Sequence, residues 1–325
     1  MPENFYEQLA GVCDEKCRFV LGIISGTKGS TPQKRGAKAL FLENGKIIGT
    51  LGGGCLEAEV RKRGFESLGT GESQNFDLVL DHDFGWDDGL ICGGKVSCVL
   101  LPKAREAGEI WKILAARDRA FSWEVRSDYT VAPVVDVSNK SFLYRETVTP
   151  PEHLWIAGAG HVAQAVAPLA AKLDFKVTVF DDRPELNNRD FFPTSTGLRV
   201  DHWEKLLEEP LPLSPSLGLI VTRGHQHDAM VLSKWIKKPF AFLGMIGSKR
   251  KKRIIFSHFE EEGMATAEQL EAVACPVGLP IGGISVDEIA LSIVAQLVTN
   301  RSDRRIVREA ATAISPKPSL TSPRA

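Results

Sequence analysis

Long apolar runs are missing from this sequence. No stretch approaches the ~20 consecutive residues of a membrane span, and no apolar segment follows a charged amino-terminal stretch as in an export signal. Neither membrane insertion nor export is therefore expected, and a cytoplasmic location is. An excess of one charge is missing too. Forty Lys and Arg stand against 41 Asp and Glu, a formal net charge of -1, so nothing global draws the chain to nucleic acid or to an anionic membrane. Cysteine is sparse and scattered, at Cys13, Cys17, Cys55, Cys92, Cys98 and Cys275. That fits a reduced protein better than a disulfide scaffold, and no zinc-type Cys-x-x-Cys pair occurs. A P-loop is absent: the Ser25–Pro32 stretch is rich in Gly and hydroxyls, but its Lys28 is not followed directly by Ser or Thr. The acidic stretch from Asp81 to Asp88 matches no calcium-loop spacing and reads as a solvated turn.

What is present is globular. Apolar residues make up 43 % and charged residues 25 % of 325, enough chain for two ordinary cores. The clearest local signal is Leu154-Trp155-Ile156-Ala157-Gly158-Ala159-Gly160-His161. An apolar strand enters a glycine turn, a helix follows from Val162 to Leu173, a second strand spans Lys176 to Phe180, and Asp181 comes next. This is the opening of a dinucleotide-type βαβ unit. Gly158 permits the turn, Gly160 lets backbone approach a phosphate, and the helix start offers free N–H groups. Asp181 stands about 20 residues on, where a ribose-binding acid is expected. Leu217 to Thr222 is a continuous apolar strand suited to the middle of a parallel sheet, and it delivers Gly224-His225-Gln226-His227-Asp228 to its carboxyl end. His225, His227 and Asp228 lack a further placed ligand for zinc, so hydrogen bonding to a ligand or helix capping by Asp228 is the better reading. Gly244 to Arg253 places five cations after Ser248, at the start of a helix whose dipole prefers acids there. Either a phosphate sits at Gly247-Ser248-Lys249 or the helix has a solvated basic face.

The first hundred residues alternate short strands with a single longer helix. Gly52-Gly53-Gly54-Cys55-Leu56-Glu57 opens that helix, and three glycines at a helix start make an anion-accepting backbone. Cys55 is read either as a reactive thiol lowered by the helix dipole or as a small buried side chain. Cys92-Gly93-Gly94 repeats the theme of a thiol beside bare backbone. The expected architecture is α/β, with a carboxyl-terminal Rossmann-like doubly wound parallel sheet and a smaller amino-terminal α/β domain with a mixed sheet. The expected boundaries are 1–105 for the amino-terminal domain, 106–150 for a connecting segment with short strands, 151–307 for the Rossmann-like domain and 308–325 for a disordered Ser/Pro-rich tail.

Several of these segments together resemble the XdhC/CoxI family. They are Gly29-Ser30-Thr31-Pro32, Gly49 to Glu57, Cys92-Gly93-Gly94, Gly158 to Val162, Asp181-Asp182-Arg183, Gly224-His225 with His227-Asp228, Ile246 to Lys249, Pro276 to Leu279 and Glu288 to Ile293. They run in order through nearly the whole chain, apart from the middle segment and the tail. The resemblance implies an accessory factor of xanthine dehydrogenase and related molybdenum hydroxylases. Such a protein is expected to bind molybdenum cofactor as molybdopterin or a dinucleotide form, and to support its sulfuration with a cysteine desulfurase. Insertion of the cofactor into the hydroxylase apoenzyme and assembly as a homodimer are implied as well. The residues expected at the cofactor are Gly52, Gly53, Gly54, Cys55, Glu57, Cys92, Gly93, Gly158, Gly160, His161, Asp181, His225, His227, Gly247, Ser248 and Lys249. No catalytic set and no metal-ligand set is found, so an accessory role rather than an enzyme is expected. The alternative is an NAD(P)-dependent oxidoreductase using the Rossmann-like domain with His225 as acid/base. A structural partner of a dehydrogenase, without cofactor contact, is a third reading.

Overall fold

The computed structural model describes residues 4–15, 17–80, 94–212 and 214–313. The chain divides into two compact units, Glu3–Pro150 and the remainder from Pro151. In the first, helix α1 (Phe5–Asp14) begins in a capping box: Asn4 accepts from the Glu7 N–H and the Glu7 carboxylate accepts from the Asn4 N–H. Its buried face is Tyr6, Leu9 and Val12, the spacing of one helical stripe. Strands β1 (Phe19–Lys28), β2 (Lys38–Leu42) and β3 (Ile47–Gly49) follow, then α2 (Gly54–Thr70), β4 (Gln74–Val79) and β5 (Lys95–Leu101). The sheet order is β3-β2-β1-β5-β4. All four pairings are antiparallel, so the mixed sheet expected from the sequence is corrected. A parallel neighbour would need a crossover connection such as a helix between two strands. Instead α2 carries the chain from one edge strand to the other.

Residues 106–150 hold α3 (Gly108–Ala116) and a three-stranded antiparallel sheet of β6 (Phe121–Arg126), β7 (Val131–Pro133) and β8 (Phe142–Val148), in the order β7-β6-β8. Trp111, Trp123 and Tyr144 from this segment are fully buried in one core with Tyr6 and Leu9 of α1 and with one face of the five-stranded sheet. Trp111 and Trp123 meet edge to face at 5.1 Å between ring centroids.

The second unit alternates strands and helices: β9 (Glu152–Ala157), α4 (His161–Lys172), β10 (Phe175–Asp181), β11 (Gly197–Val200), α5 (Trp203–Leu206), β12 (Ser216–Ile220), α6 (His225–Trp235), β13 (Phe242–Met245), α7 (Lys249–Glu261), α8 (Ala267–Glu271), β14 (Val273–Ala274) and α9 (Val286–Ala313). The six strands pair in parallel in the order β11-β10-β9-β12-β13-β14. This is the doubly wound order, with the chain reversing direction across the sheet between β9 and β12. All five residues of β12 are buried, because both faces are covered. One face packs on α4 and α9 through Val166, Ala170, Ile293 and Leu297. The other packs on α5, α6 and α7 through Trp203, Val231, Trp235 and Phe259. Helix α9 starts in a capping box, Ser285 accepting from the Glu288 N–H and the Glu288 carboxylate from the Ser285 N–H. It continues to Ala313, past the position where a disordered tail is expected from the sequence, since no helix breaker occurs before Pro316. Residues 314–325 lie outside the described residues. Among the described residues no helix is long and apolar enough to cross a membrane.

Candidate functional site

In the second unit the carboxyl ends of the parallel strands bring together the loops singled out from the sequence. Gly158 follows β9 directly, at φ 109°. Its N–H donates to the Phe180 carbonyl of β10 at 2.8 Å, while Val221 after β12 donates to Ala157 at 2.9 Å. The turn is thus pinned between both neighbouring strands, at the switch point where ligands of such sheets bind. Gly160 is the N-cap of α4 and has no side-chain cap, and nothing lies within 4 Å of where its Cβ would be. His161 is exposed at the first helical position. The start of α4 is therefore open to an anion.

Asp181 behaves differently from a ribose acid. It is 1 % exposed. Its Oδ2 accepts from the Ala159 N–H at 2.7 Å and from Arg183 Nη2 at 2.8 Å, and its Oδ1 from the Arg183 N–H at 3.0 Å and Nε at 2.8 Å. Both oxygens are spent inside the chain. Burial works to raise this carboxyl, but the Arg183 guanidinium and the two backbone N–H groups outweigh it and hold it below the ordinary range. A folded value below the unfolded one adds stability that is complete above the unfolded range, near 3.9, and is lost as pH falls through the folded value. Denaturant titrations below about pH 4 are expected to show a steeper loss for the wild type than for Asp181→Asn. Equal slopes would mean that Asp181 carries no such linkage.

Next to it, Asp182 Oδ2 accepts from Arg223 Nη2 at 3.1 Å, and the same Arg223 nitrogen lies 2.9 Å from His227 Nε2. Arginine can only donate, so Nε2 is the acceptor. Asp182 Oδ1 is buried with no hydrogen-bond partner, as is Nε1 of Trp203, whose ring meets His227 at 6.3 Å. His225 is exposed at the first position of α6. Asp228 is not an N-cap. It is fully buried on α6 and accepts from the Thr222 N–H at 3.1 Å, the Thr222 hydroxyl at 2.6 Å and Lys251 Nζ. Lys251 also donates to the Ile246 carbonyl at 3.0 Å. The basic start of α7 thus has an anion from its own chain. Ser248 caps that helix by accepting from the Lys251 N–H at 3.1 Å, and Lys249 is exposed beside it. Gly247 lies against the Lys251 stem.

In the first unit, Glu57 fills the triple-glycine turn. One of its oxygens accepts from the Thr50 hydroxyl at 2.7 Å, the Leu51 N–H at 2.9 Å and the Gly53 N–H at 3.3 Å. Burial acts to raise this carboxyl, and the three donors with Arg61 bring it below the ordinary range. Gly52, Gly53 and Gly54 all have positive φ. A Cβ on Gly52 would press on Pro32 and Gln33, and one on Gly94 would strike the Ser30 carbonyl. The Ser30–Gln33 loop therefore packs against both glycine segments. Cys92 and Gly93 lie outside the described residues. The thiols of Cys98, pushed up to about 12, Cys13, pushed up to about 11, and Cys275 are all raised by burial, so none of the three is a ready thiolate. No cluster of metal-binding side chains occurs among the described residues.

Arg183, Arg223, Asp182, Thr222 and Lys251 were not among the expected site residues. Arg183 follows the expected acid by two positions, which was a readable signal. Arg223 stands one residue before Gly224, and Lys251 three after the N-cap.

The second unit is a Rossmann-type domain with its glycine turn at the switch point, and the first is an antiparallel domain with a glycine turn of its own. The family model for the XdhC Rossmann domain matches residues 154–297, and that for the XdhC and CoxI family matches residues 12–82. The chain belongs to the XdhC and CoxI family. It is 27 % identical over 295 residues to the uncharacterized protein YqeB of Escherichia coli K12, covering 91 % of this chain but 46 % of that protein, so it spans about half the length of that relative. It is 26 % identical to a probable xanthine dehydrogenase subunit of Bacillus subtilis 168, covering 94 % of this chain and 99 % of that one. It is 23 % identical to the molybdenum cofactor insertion chaperone PaoD of Escherichia coli K12, covering 87 % and 83 %. A crystal structure described as a xanthine dehydrogenase from Bacillus halodurans superposes with a TM-score of 0.78 at 25 % identity, over 91 % of this chain and 96 % of that one.

Proposed function

We propose that this protein binds molybdenum cofactor and supports its maturation and its insertion into a molybdenum hydroxylase of the xanthine dehydrogenase type. The relatives named for xanthine dehydrogenase and for cofactor insertion support this reading. The observation that carries it on the chain itself is the donor set at the switch point. An uncapped α4 start, Arg223, and Ser248 with Lys249 suit a phosphate, and Asp182 Oδ1, which makes no hydrogen bond and has Arg183 Nε at 4.0 Å, suits an N–H-rich heterocycle. A pterin ending in a phosphate has both features. When bound, the cofactor supplies the molybdenum centre that the hydroxylase uses. This chain's part is to hold the anionic end and orient the ring. His161 and His225, exposed at two helix starts, are proposed as further donors to an anion. In the first unit Cys55 and Cys92, each beside bare glycine backbone in the sequence, are proposed as cofactor-binding residues in their own right, a thiol being a group able to meet the sulfur-rich end.

Support of sulfuration together with a cysteine desulfurase, assembly as a homodimer, and action in the cytoplasm belong to the same proposal. So does an accessory role without catalytic turnover.

Anaerobic titration of the full-length protein tests it, with intrinsic tryptophan fluorescence followed as molybdenum cofactor or NAD(P)(H) is added. Saturable binding of the cofactor in the micromolar range, about -8 kcal/mol, with nicotinamides silent, is the expected result. A response to nicotinamides alone would replace this reading with the oxidoreductase one. If Cys55→Ala and Cys92→Ala both leave cofactor binding and hydroxylase activation unchanged, the thiol contact is wrong.

A further inference from the structure

We propose that Arg183 closes the nucleoside subsite of the Rossmann unit, so that this domain refuses the ribose of adenine nucleotides. In a dinucleotide-binding βαβ unit the acid at the end of the second strand accepts from the ribose hydroxyls, and the glycine-turn N–H groups face the pyrophosphate. A carboxylate has about four acceptor positions. At Asp181 all four are taken: two by the Arg183 side chain, one by the Arg183 N–H and one by the Ala159 N–H. The ribose diol has nothing left to donate to. The Ala159 N–H, a turn donor, is removed from the pyrophosphate at the same time.

The guanidinium holds its place by geometry. Nε and Nη2 meet one oxygen each at 2.8 Å, the bidentate fork that fits a carboxylate best. Asp181 is 1 % exposed and the Arg183 side chain 22 %, so the pair is largely shielded from water. An arginine that accommodates the 2′-phosphate of NADP must present its fork outward. Here the fork is turned onto Asp181, so the phosphorylated dinucleotide gains nothing. Arg183 is two residues from its partner, and the closure is therefore built into one turn after β10. The α4 start stays open, at Gly160. The domain retains an anion position and lacks a nucleoside arm, which selects a phosphorylated ligand that is not read through a ribose. The readout needs nucleotides only, so its failure is separable from failure of the cofactor proposal.

Isothermal titration of the full-length protein with NAD+, NADP+ and AMP tests this. The wild type is expected to give no saturable binding up to about 1 mM. Arg183→Ala is expected to bind NAD+ or AMP at least about tenfold more tightly than the wild type, a gain that structural damage would not produce. Adding Asp181→Asn should remove the gain, since Asp181 is the acceptor that was uncovered. Saturable binding of any of the three by the wild type overturns the closure. A folded Arg183→Ala that stays silent, or a gain that survives Asp181→Asn, overturns the role of Arg183. Should circular dichroism show Arg183→Ala unfolded, Arg183→Lys keeps the charge without the fork, and its silence counts in the same way.

Discussion

Replacing Lys251 by methionine is expected to destabilise the second unit by about 3 kcal/mol, towards the lower end of the range for breaking a buried ion pair. Its partner Asp228 is fully buried, and the Lys251 side chain is 23 % exposed. The variant would leave a carboxylate out of water with only the Thr222 N–H and hydroxyl as donors. Residual access of water to the lysine end is why the upper end is not expected. The loss should appear as a lower urea midpoint at unchanged slope. Asp228→Asn keeps an oxygen for Thr222 and removes the charge, so the double variant should recover much of the loss, with a coupling of at least about 1 kcal/mol. Additive single effects would mean that the pair does not act as a unit. The consequence for the site is positional. Lys251 ties α6 and the β12–α6 loop, through Asp228, to the Ile246 carbonyl before α7. Without it, the Gly224-His225 and Gly247-Ser248-Lys249 corners lose their common anchor, and affinity for an anionic ligand should fall together with stability.

That same pair marks the limit of what could be read from the chain. Strands β9, β10 and β12 were legible because parallel strands buried on both faces are nearly continuous apolar runs, and the glycine turn stands at the end of the first. The capping residues Ser248 and Ser285 were legible because a cap is a local pattern. Asp228 and Lys251 stand 23 positions apart, and no periodicity links them. The cations of α7 therefore pointed to an external anion when one of them already had an internal one. Asp181 and Arg183 stand together in the sequence, but whether a carboxylate faces a ligand or its own chain depends on a rotamer. Glu57 makes the same point, since three glycines and a carboxylate just beyond them read equally as an anion cradle or as a closed turn. The antiparallel order of the first sheet was hidden for another reason. Helix α2 has the length of a crossover, and only the pairing partners say which edges it joins.

Gly158→Ala and Gly160→Ala are expected to part company by several kcal/mol although they stand two residues apart. At Gly158 two costs coincide. The backbone sits at φ 109°, outside the regions open to alanine, a strain of about 1–3 kcal/mol. A Cβ there would also run into the Val221 carbonyl, with the Val221 carbon at 2.8 Å and Thr222 Cα at 2.9 Å. These are backbone atoms, held by the bond from Val221 to Ala157, so they cannot swing aside as a side-chain end could. Opening them would part β9 from β12 at the switch point. A total of about 3–5 kcal/mol follows, which for a unit of this size lowers Tm by about 10 °C or more. Gly160 has φ -74° and free space around its Cβ position. Its replacement gives up only the N-cap preference of glycine over alanine, about 1 kcal/mol or less. The new methyl would nonetheless add bulk at the open start of α4. Gly160→Ala should therefore stay folded and lose anion affinity, while Gly158→Ala loses the fold of the turn first. Calorimetric melting of both variants, with and without inorganic phosphate, separates the two. A phosphate-dependent rise in Tm is expected of the wild type and not of Gly160→Ala; if the variant rises as much as the wild type, the start of α4 is not where the anion sits.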